Sequence, residues 1–233
     1  MLAMFAGLLV IELALASPLD ELADHLLSAH MVQHLLLMLV AAPLLVFARP
    51  VPCLVWSLPP SLRKRVAYLW NQAGISRLMR FARKPAVCWG AFCAVVLLWH
   101  VPAIYRWAMG SEIRHALMHI CFLGSGLLFW SVVLDAGRAR PLDHASCALY
   151  VFSAALVTAL PGALITFARQ PLYMVAPNPP SPGGLTVLTD QQLAGLIMWI
   201  PMDLVLFGVA LALFAAALGY GRIEGRVSTT HGQ

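Results

Sequence analysis

Apolar residues along this chain come in blocks and not in alternation. Residues 2–16, 29–48, 86–108, 113–134, 145–168 and 191–220 are apolar runs, and the prolines and charges gather mostly between them. A bilayer core about 30 Å thick takes roughly 20 helical residues, and the last five blocks reach that length. The first block is short, carries Glu12 and ends in Ala14-Leu15-Ala16, which imitates a signal-peptidase site. Its start has no Lys or Arg, so a retained span is the expectation. The pattern predicts an all-α integral membrane protein, a single domain over residues 1–233 with about six transmembrane helices.

Composition agrees with this reading. The chain is 61% hydrophobic and 11% charged with mean hydropathy +0.82, whereas soluble domains carry roughly 45–50% apolar and about 25% charged residues. So few charges cannot cover a water-facing surface, which excludes a soluble globular protein. The net charge of +5 raises the question of nucleic acid. The basic residues lie mostly in the loops between apolar runs, where the positive-inside rule accounts for them, so nucleic acid is not an expected partner and the lipid bilayer is.

Those loops also orient the chain. Residues 49–85 hold eight Lys and Arg, residues 135–144 hold Arg138 and Arg140, and the C-terminal end holds Arg222 and Arg226; only Arg106, Arg114 and Arg169 lie elsewhere. The positive-inside rule therefore places both termini and the long basic loop in the cytoplasm. In that loop Leu62, Val66, Leu69 and Trp70 recur at helical spacing opposite Arg63, Lys64 and Arg65, with Gly74 breaking the run. This predicts amphipathic surface helices touching lipid headgroups. The external loop, residues 170–190, carries Pro171, Pro177, Pro179, Pro180, Pro182 and Gly183-Gly184, which rules out a regular helix. A cap, a partner surface and an inert connector all remain open for it.

Candidate chemistry rests on histidine. Ionisable groups are expensive in spans and face the bundle interior or a cavity. His30, His34, His100, His115 and His119 all fall in the outer leaflet under this topology. The i, i+4 pairs His30/His34 and His115/His119 each stack two imidazoles about 6 Å apart on one helix face. Two such pairs with His100 can surround a metal ion; the alternative is that each ring bonds a backbone carbonyl. Neither pair has the Glu of a His-Glu-x-x-His protease, and no phosphate cradle or nucleophile elbow occurs, so no enzyme activity is expected. Imidazole suits zinc, copper, iron and nickel, and nearby Met31, Met38, Met109, Met118 and Cys121 tilt the choice toward copper. Neutral rings are required, so binding should weaken as pH falls through about 6.5.

The five cysteines (Cys53, Cys88, Cys93, Cys121, Cys147) show no CxxC spacing and read as small hydrophobes, with Cys121 singled out by its closeness to His119. Thr189-Asp190-Gln191-Gln192 has the form of a capping box with Thr189 as N-cap. Alternatively Asp190 or Gln191 orients an imidazole, with Met31, Met118 and Cys121 as further candidates around the metal. Asp203, just after Pro201, predicts a local polar network inside the bundle.

Four strings occur in order: His30-Met31-Val32-Gln33-His34-Leu35-Leu36-Leu37 leading to Ala42-Pro43-Leu44-Leu45; Trp99-His100-Val101-Pro102 with Tyr105; His115 and His119 leading to Phe129-Trp130; and Asp190-Gln191-Gln192-Leu193-Ala194-Gly195 with Met198-Trp199. Together they resemble the multi-spanning CtaG-type assembly factors of caa(3)-type cytochrome c oxidase. The resemblance implies a multi-pass protein of the bacterial cytoplasmic membrane, a metallochaperone that helps copper reach the oxidase. It implies contact with oxidase subunits and a periplasmic or extracellular copper donor, and a copper role for the five histidines. Such proteins commonly carry a further span before the one beginning at Leu2, so the expectation is either that Met1 is an internal methionine of a longer product or that this helix is absent. The rival readings are a b-type haem electron carrier and a copper or zinc transporter.

Overall fold

The computed structural model describes residues 1–49, 55, 57–134, 142–173 and 184–230, with side chains as far as Gly219 except that of Ala73. Outside the described residues lie Cys53, Arg138, Arg140 and the run holding Pro177, Pro179, Pro180, Pro182 and Gly183; the side chains of Arg222 and Arg226 are outside them too. Among the described residues the regular elements are all helical. In chain order they are α1 (Leu2–Leu15), α2 (Pro18–Ala23), α3 (Leu27–Leu35), a π-helical turn (Leu36–Ala41), α4 (Ala42–Ala48), α5 (Pro60–Trp70), α6 (Ala73–Ala82), α7 (Pro85–Trp99), α8 (Pro102–Met109), α9 (Glu112–Leu134), α10 (His144–Thr166) and α11 (Val187–Thr230).

Four stretches are long and apolar enough to cross a membrane: Leu27–Ala48, α9, α10 and Val187–Gly219. The bent pair Gly74–Ala82 and Pro85–Trp99 makes up to a fifth, while α1, at 14 residues, is a shorter apolar helix. Leu149, Phe152, Leu156, Leu160 and Leu164 form an exposed stripe on α10, and Leu204, Leu211 and Phe214 are exposed on α11. Exposed apolar stripes of this kind are what lipid chains cover, since between helices in lipid the contact is made by small residues and hydrogen bonds.

The span from Leu27 to Ala48 lies against α1, α9 and α11. Its π-helical turn has a local cause in Pro43, which lacks an N–H and disturbs the carbonyls one turn back. The Met38 carbonyl in that turn accepts a hydrogen bond from Trp130 Nε1 on α9 at 2.8 Å. Gly126 lets α9 come close there: a Cβ at this position would sit 3.1 Å from Ala42 Cβ and 3.4 Å from Met38 Cα. Phe92, Phe129 and Tyr150 then stack through α7, α9 and α10, with ring centroids 4.2 and 5.0 Å apart.

Three local expectations are corrected. The run 86–108 is not one helix: it stops at Trp99 and restarts at Pro102, because the residue before a proline is pushed out of the helical region. Val101 accordingly has φ −71° and ψ 123°, and His100 becomes the C-cap of α7. Gly74 does not break the basic loop, since it lies inside α6; the break falls at Asn71 and Gln72. Thr189 is not the N-cap of the last span. Thr186 takes that role, its Oγ1 accepting from Thr189 N at 3.1 Å.

The basic end of the bundle carries the two helices α5 and α6. On α6, Ile75, Leu78 and Phe81 are exposed apolar side chains, and at 100° per residue they fall within one arc of about 120°. This helix meets α7 at 69°.

Candidate metal centre

The opposite end holds the histidines. His30 and His34 lie on α3, His115 and His119 on α9, and His100 at the end of α7. His30, His34, His100 and His119 are buried and His115 is half-buried. The rings form one connected cluster. His30 lies 4.4 Å from His34, 5.0 Å from His115 and 5.6 Å from His119 between ring centroids. His115 and His119 are 4.4 Å apart, His34 and His119 5.5 Å, and His34 and His100 6.1 Å.

Within that cluster, nitrogens of His30, His115 and His119 all lie within 4.8 Å of one another. Ligand nitrogens around an ion with metal–nitrogen bonds of about 2.0–2.1 Å stand roughly 3.3 Å apart, so closure needs each ring to move by under about 1 Å. His34 and His100 adjoin this triad without belonging to it. Buried polar atoms are nearly always hydrogen-bonded, because leaving one unpaired costs on the order of 1–3 kcal/mol. Here both nitrogens of His30 and of His34, and Nε2 of His115 and His119, have no hydrogen-bond partner. Of the carbonyl bonds offered as the alternative to a metal, the hydrogen bonds of the cluster include one. His100 Nδ1 donates to Val96 O at 2.6 Å.

The scaffold explains how α3 and α7 are held. The N-terminus of α3 has no cap of its own, since its N-cap is Leu26. Asp190 supplies the cap from α11: its carboxylate accepts from Leu27 N at 2.7 Å, Ser28 N at 3.2 Å and Ser28 Oγ at 2.5 Å. A buried carboxylate at a helix N-terminus satisfies orphan N–H groups and meets the positive end of the helix dipole. Gln191 holds the segment after α10, accepting from Leu172 N at 2.6 Å and donating to Gln170 O at 3.3 Å. From that segment Tyr173 Oη donates to the His100 carbonyl at 2.5 Å. Burial pushes the Tyr173 hydroxyl up to about 12, so it remains a donor at neutral pH. Gln33 Nε2, between the two histidines of α3, donates to Ala14 O at 2.8 Å and Asp20 Oδ1 at 2.7 Å.

Asp190 and Gln191 thus orient backbone segments, and among the described residues their hydrogen bonds run to no imidazole, which corrects the expectation that one of them orients a ring. Met118 is buried in the apolar core, and Cys121 is a half-buried free thiol outside the nitrogen triad. Met31 is buried with its Sδ 3.4 Å from His100 Nε2. Tyr173 lies outside the quoted motifs, and Gln33 lies inside the His30-to-Leu37 string without a role that its residue type or spacing specifies. Asp203, expected in a local network, has its Oδ1 buried without a partner.

A family profile for the cytochrome c oxidase caa3 assembly factor (Caa3_CtaG) matches residues 1–219. No curated protein and no solved structure matches the chain. The histidine-bearing spans therefore define a multi-spanning helical membrane protein with a potential metal-binding triad, and the chain belongs to the cytochrome c oxidase caa3 assembly factor family.

Proposed function

We propose that this chain holds copper at its histidine end and hands it to cytochrome c oxidase, acting as a metal carrier and not as an enzyme. The observation that carries the reading is the meeting of three imidazoles, on two helices, whose nitrogens lie within 4.8 Å and include buried atoms without hydrogen-bond partners. A metal ion is the partner that satisfies several such lone pairs at once. His34 and His100 adjoin that triad.

Copper is favoured over zinc by the company of Met31 and by family membership, because an assembly factor of an oxidase serves a copper enzyme. In our reading α1 and the pair α6–α7 cross or enter the bilayer alongside the four long spans. Both termini then face the cytoplasm, and the histidine end opens to the outside of a bacterial cytoplasmic membrane. The partners are oxidase subunits and a copper donor on the outer side.

Deleting the protein should lower the copper content and activity of the oxidase while leaving haem synthesis intact. Normal copper loading of every oxidase in such a strain would overturn the carrier role. Accessibility of a cysteine placed at Gln170 tests the orientation: labelling from outside is expected, and labelling only from the cytoplasm would reverse it.

A further inference from the structure

Beside the triad lies a contact that hydrogen bonding does not explain. His100 Nδ1 points at the Val96 carbonyl at 2.6 Å. A carbonyl only accepts, so Nδ1 carries the proton and, in the neutral ring, Nε2 presents a bare lone pair. That lone pair faces Met31 Sδ at 3.4 Å, and a thioether sulfur is itself an acceptor without a proton to give. Both residues are buried, Met31 2% and His100 7% exposed. Two acceptors have been brought face to face in a site sheltered from water. A cation between them resolves the conflict.

The spacing suits one. With metal–nitrogen near 2.0–2.1 Å and metal–sulfur near 2.3 Å, a separation of 3.4 Å corresponds to an angle at the ion of about 100°, near tetrahedral. The Nδ1–H bond to a carbonyl is the arrangement that fixes the tautomer of metal-binding histidines and makes Nε2 the ligand atom. His34 supplies a third donor: its ring is 6.1 Å from that of His100, and both its nitrogens are buried without partners. A thioether beside imidazoles selects a soft ion.

We propose that Met31 Sδ and His100 Nε2, with His34, form a second site specific for a soft monovalent cation, Cu(I) in function, next to the triad of His30, His115 and His119. The inference deepens the copper reading and rests on it. Copper is then held at two adjoining positions, a nitrogen triad nearer half-buried His115 and a nitrogen–sulfur site closed off within the bundle. Transfer between them is ligand exchange without change of oxidation state.

The test uses the full-length protein in nanodiscs, with Ag(I) as the closed-shell probe and Zn(II) as the harder comparison. Two Ag(I) and one Zn(II) per chain are expected. Met31→Leu keeps the side-chain volume, and it should weaken one of the two Ag(I) tenfold or more while leaving Zn(II) unchanged. His115→Ala with His119→Ala should remove Zn(II) and one Ag(I), and the Ag(I) that remains should depend on Met31. X-ray absorption of the Cu(I)-loaded wild type should show a sulfur neighbour that Met31→Leu lacks. Unchanged Ag(I) binding in Met31→Leu, or no sulfur neighbour in the wild type, would overturn the second site and leave the triad standing. Full Zn(II) and Ag(I) binding after loss of His115 and His119 would instead overturn the triad.

Discussion

At the histidine end and halfway along α11 the protein buries polar atoms without hydrogen-bond partners, and the two regions differ in what surrounds those atoms. His30, His115 and His119 converge from two helices, and the cluster is anchored by Asp190, Gln191, Gln33 and Tyr173 through the backbone. Asp203 Oδ1 and Trp199 Nε1 are orphaned on α11, and neither belongs to a group of metal-ligating atoms among the described residues. An unpaired buried atom is a cost wherever it lies. What separates a site from a defect is convergence on one point together with a scaffold rigid enough to keep the atoms there.

Removing the scaffold while keeping the ligands should have the largest effect. Asp190→Ala strips three hydrogen bonds from the N-terminus of α3, and bonds to a charged group are worth about 1.5–3 kcal/mol each in net terms. We expect a lower Tm and, as for residues that orient metal ligands, a 10–100-fold loss of copper affinity with every histidine intact. Undiminished affinity in a folded Asp190→Ala would show that the cap does not position the centre. Next in size is Gly126→Val, which drives α9 away from the π-helical turn. An overpacked contact costs about 1–3 kcal/mol, and copper binding should fall because His115 and His119 ride on α9. A Gly126→Val protein with parental Tm and copper content would mean that this close approach is dispensable.

Asp203→Leu probes the other half of the comparison. Replacing an unsatisfied buried oxygen by an apolar side chain should raise stability by about 1 kcal/mol and leave copper content unchanged. Copper loss in this variant would make α11 part of a metal pathway and favour a transporter. The smallest effect is expected at Asp143, which caps its own helix at the surface, accepting from Ser146 N at 2.6 Å. That hydrogen bond holds its carboxyl below the usual 3.8. The cap's contribution is therefore full above the usual value and disappears as pH falls through the lowered one. The Tm gap between parent and Asp143→Ala, followed from neutral to acid pH, should close in that direction; a gap that widens in acid would contradict the assignment.

Much of this was legible in the sequence, for reasons that can be named. The apolar blocks reveal helices because lipid imposes one length and one polarity on whatever crosses it. The i, i+4 histidines were readable because helical spacing alone puts them on one face. The break at His100 followed from Pro102, a local rule that was present in the string but was overridden by counting residues 86–108 as one run. The cap that Asp190 gives to α3 was not readable, because it joins residues 162 and 163 positions apart and depends on which helices become neighbours. The Thr189 motif points to an N-cap on four residues alone, whereas the helix starts at Val187 and its cap lies three residues earlier than Thr189, at Thr186. The division of five histidines into a triad and an adjoining pair was likewise beyond spacing, since it depends on where the end of α7 meets α3.

We propose that His30, His115 and His119 bind one copper ion together. Copper content and affinity of the purified full-length protein, measured for His30→Ala, for His119→Ala and for the two combined, test it most directly. A shared ion predicts a large loss from each single substitution and little more from the double, because coupled ligands are not additive. Full copper in either single variant, or losses that simply add as they do for distant positions, would contradict a shared centre.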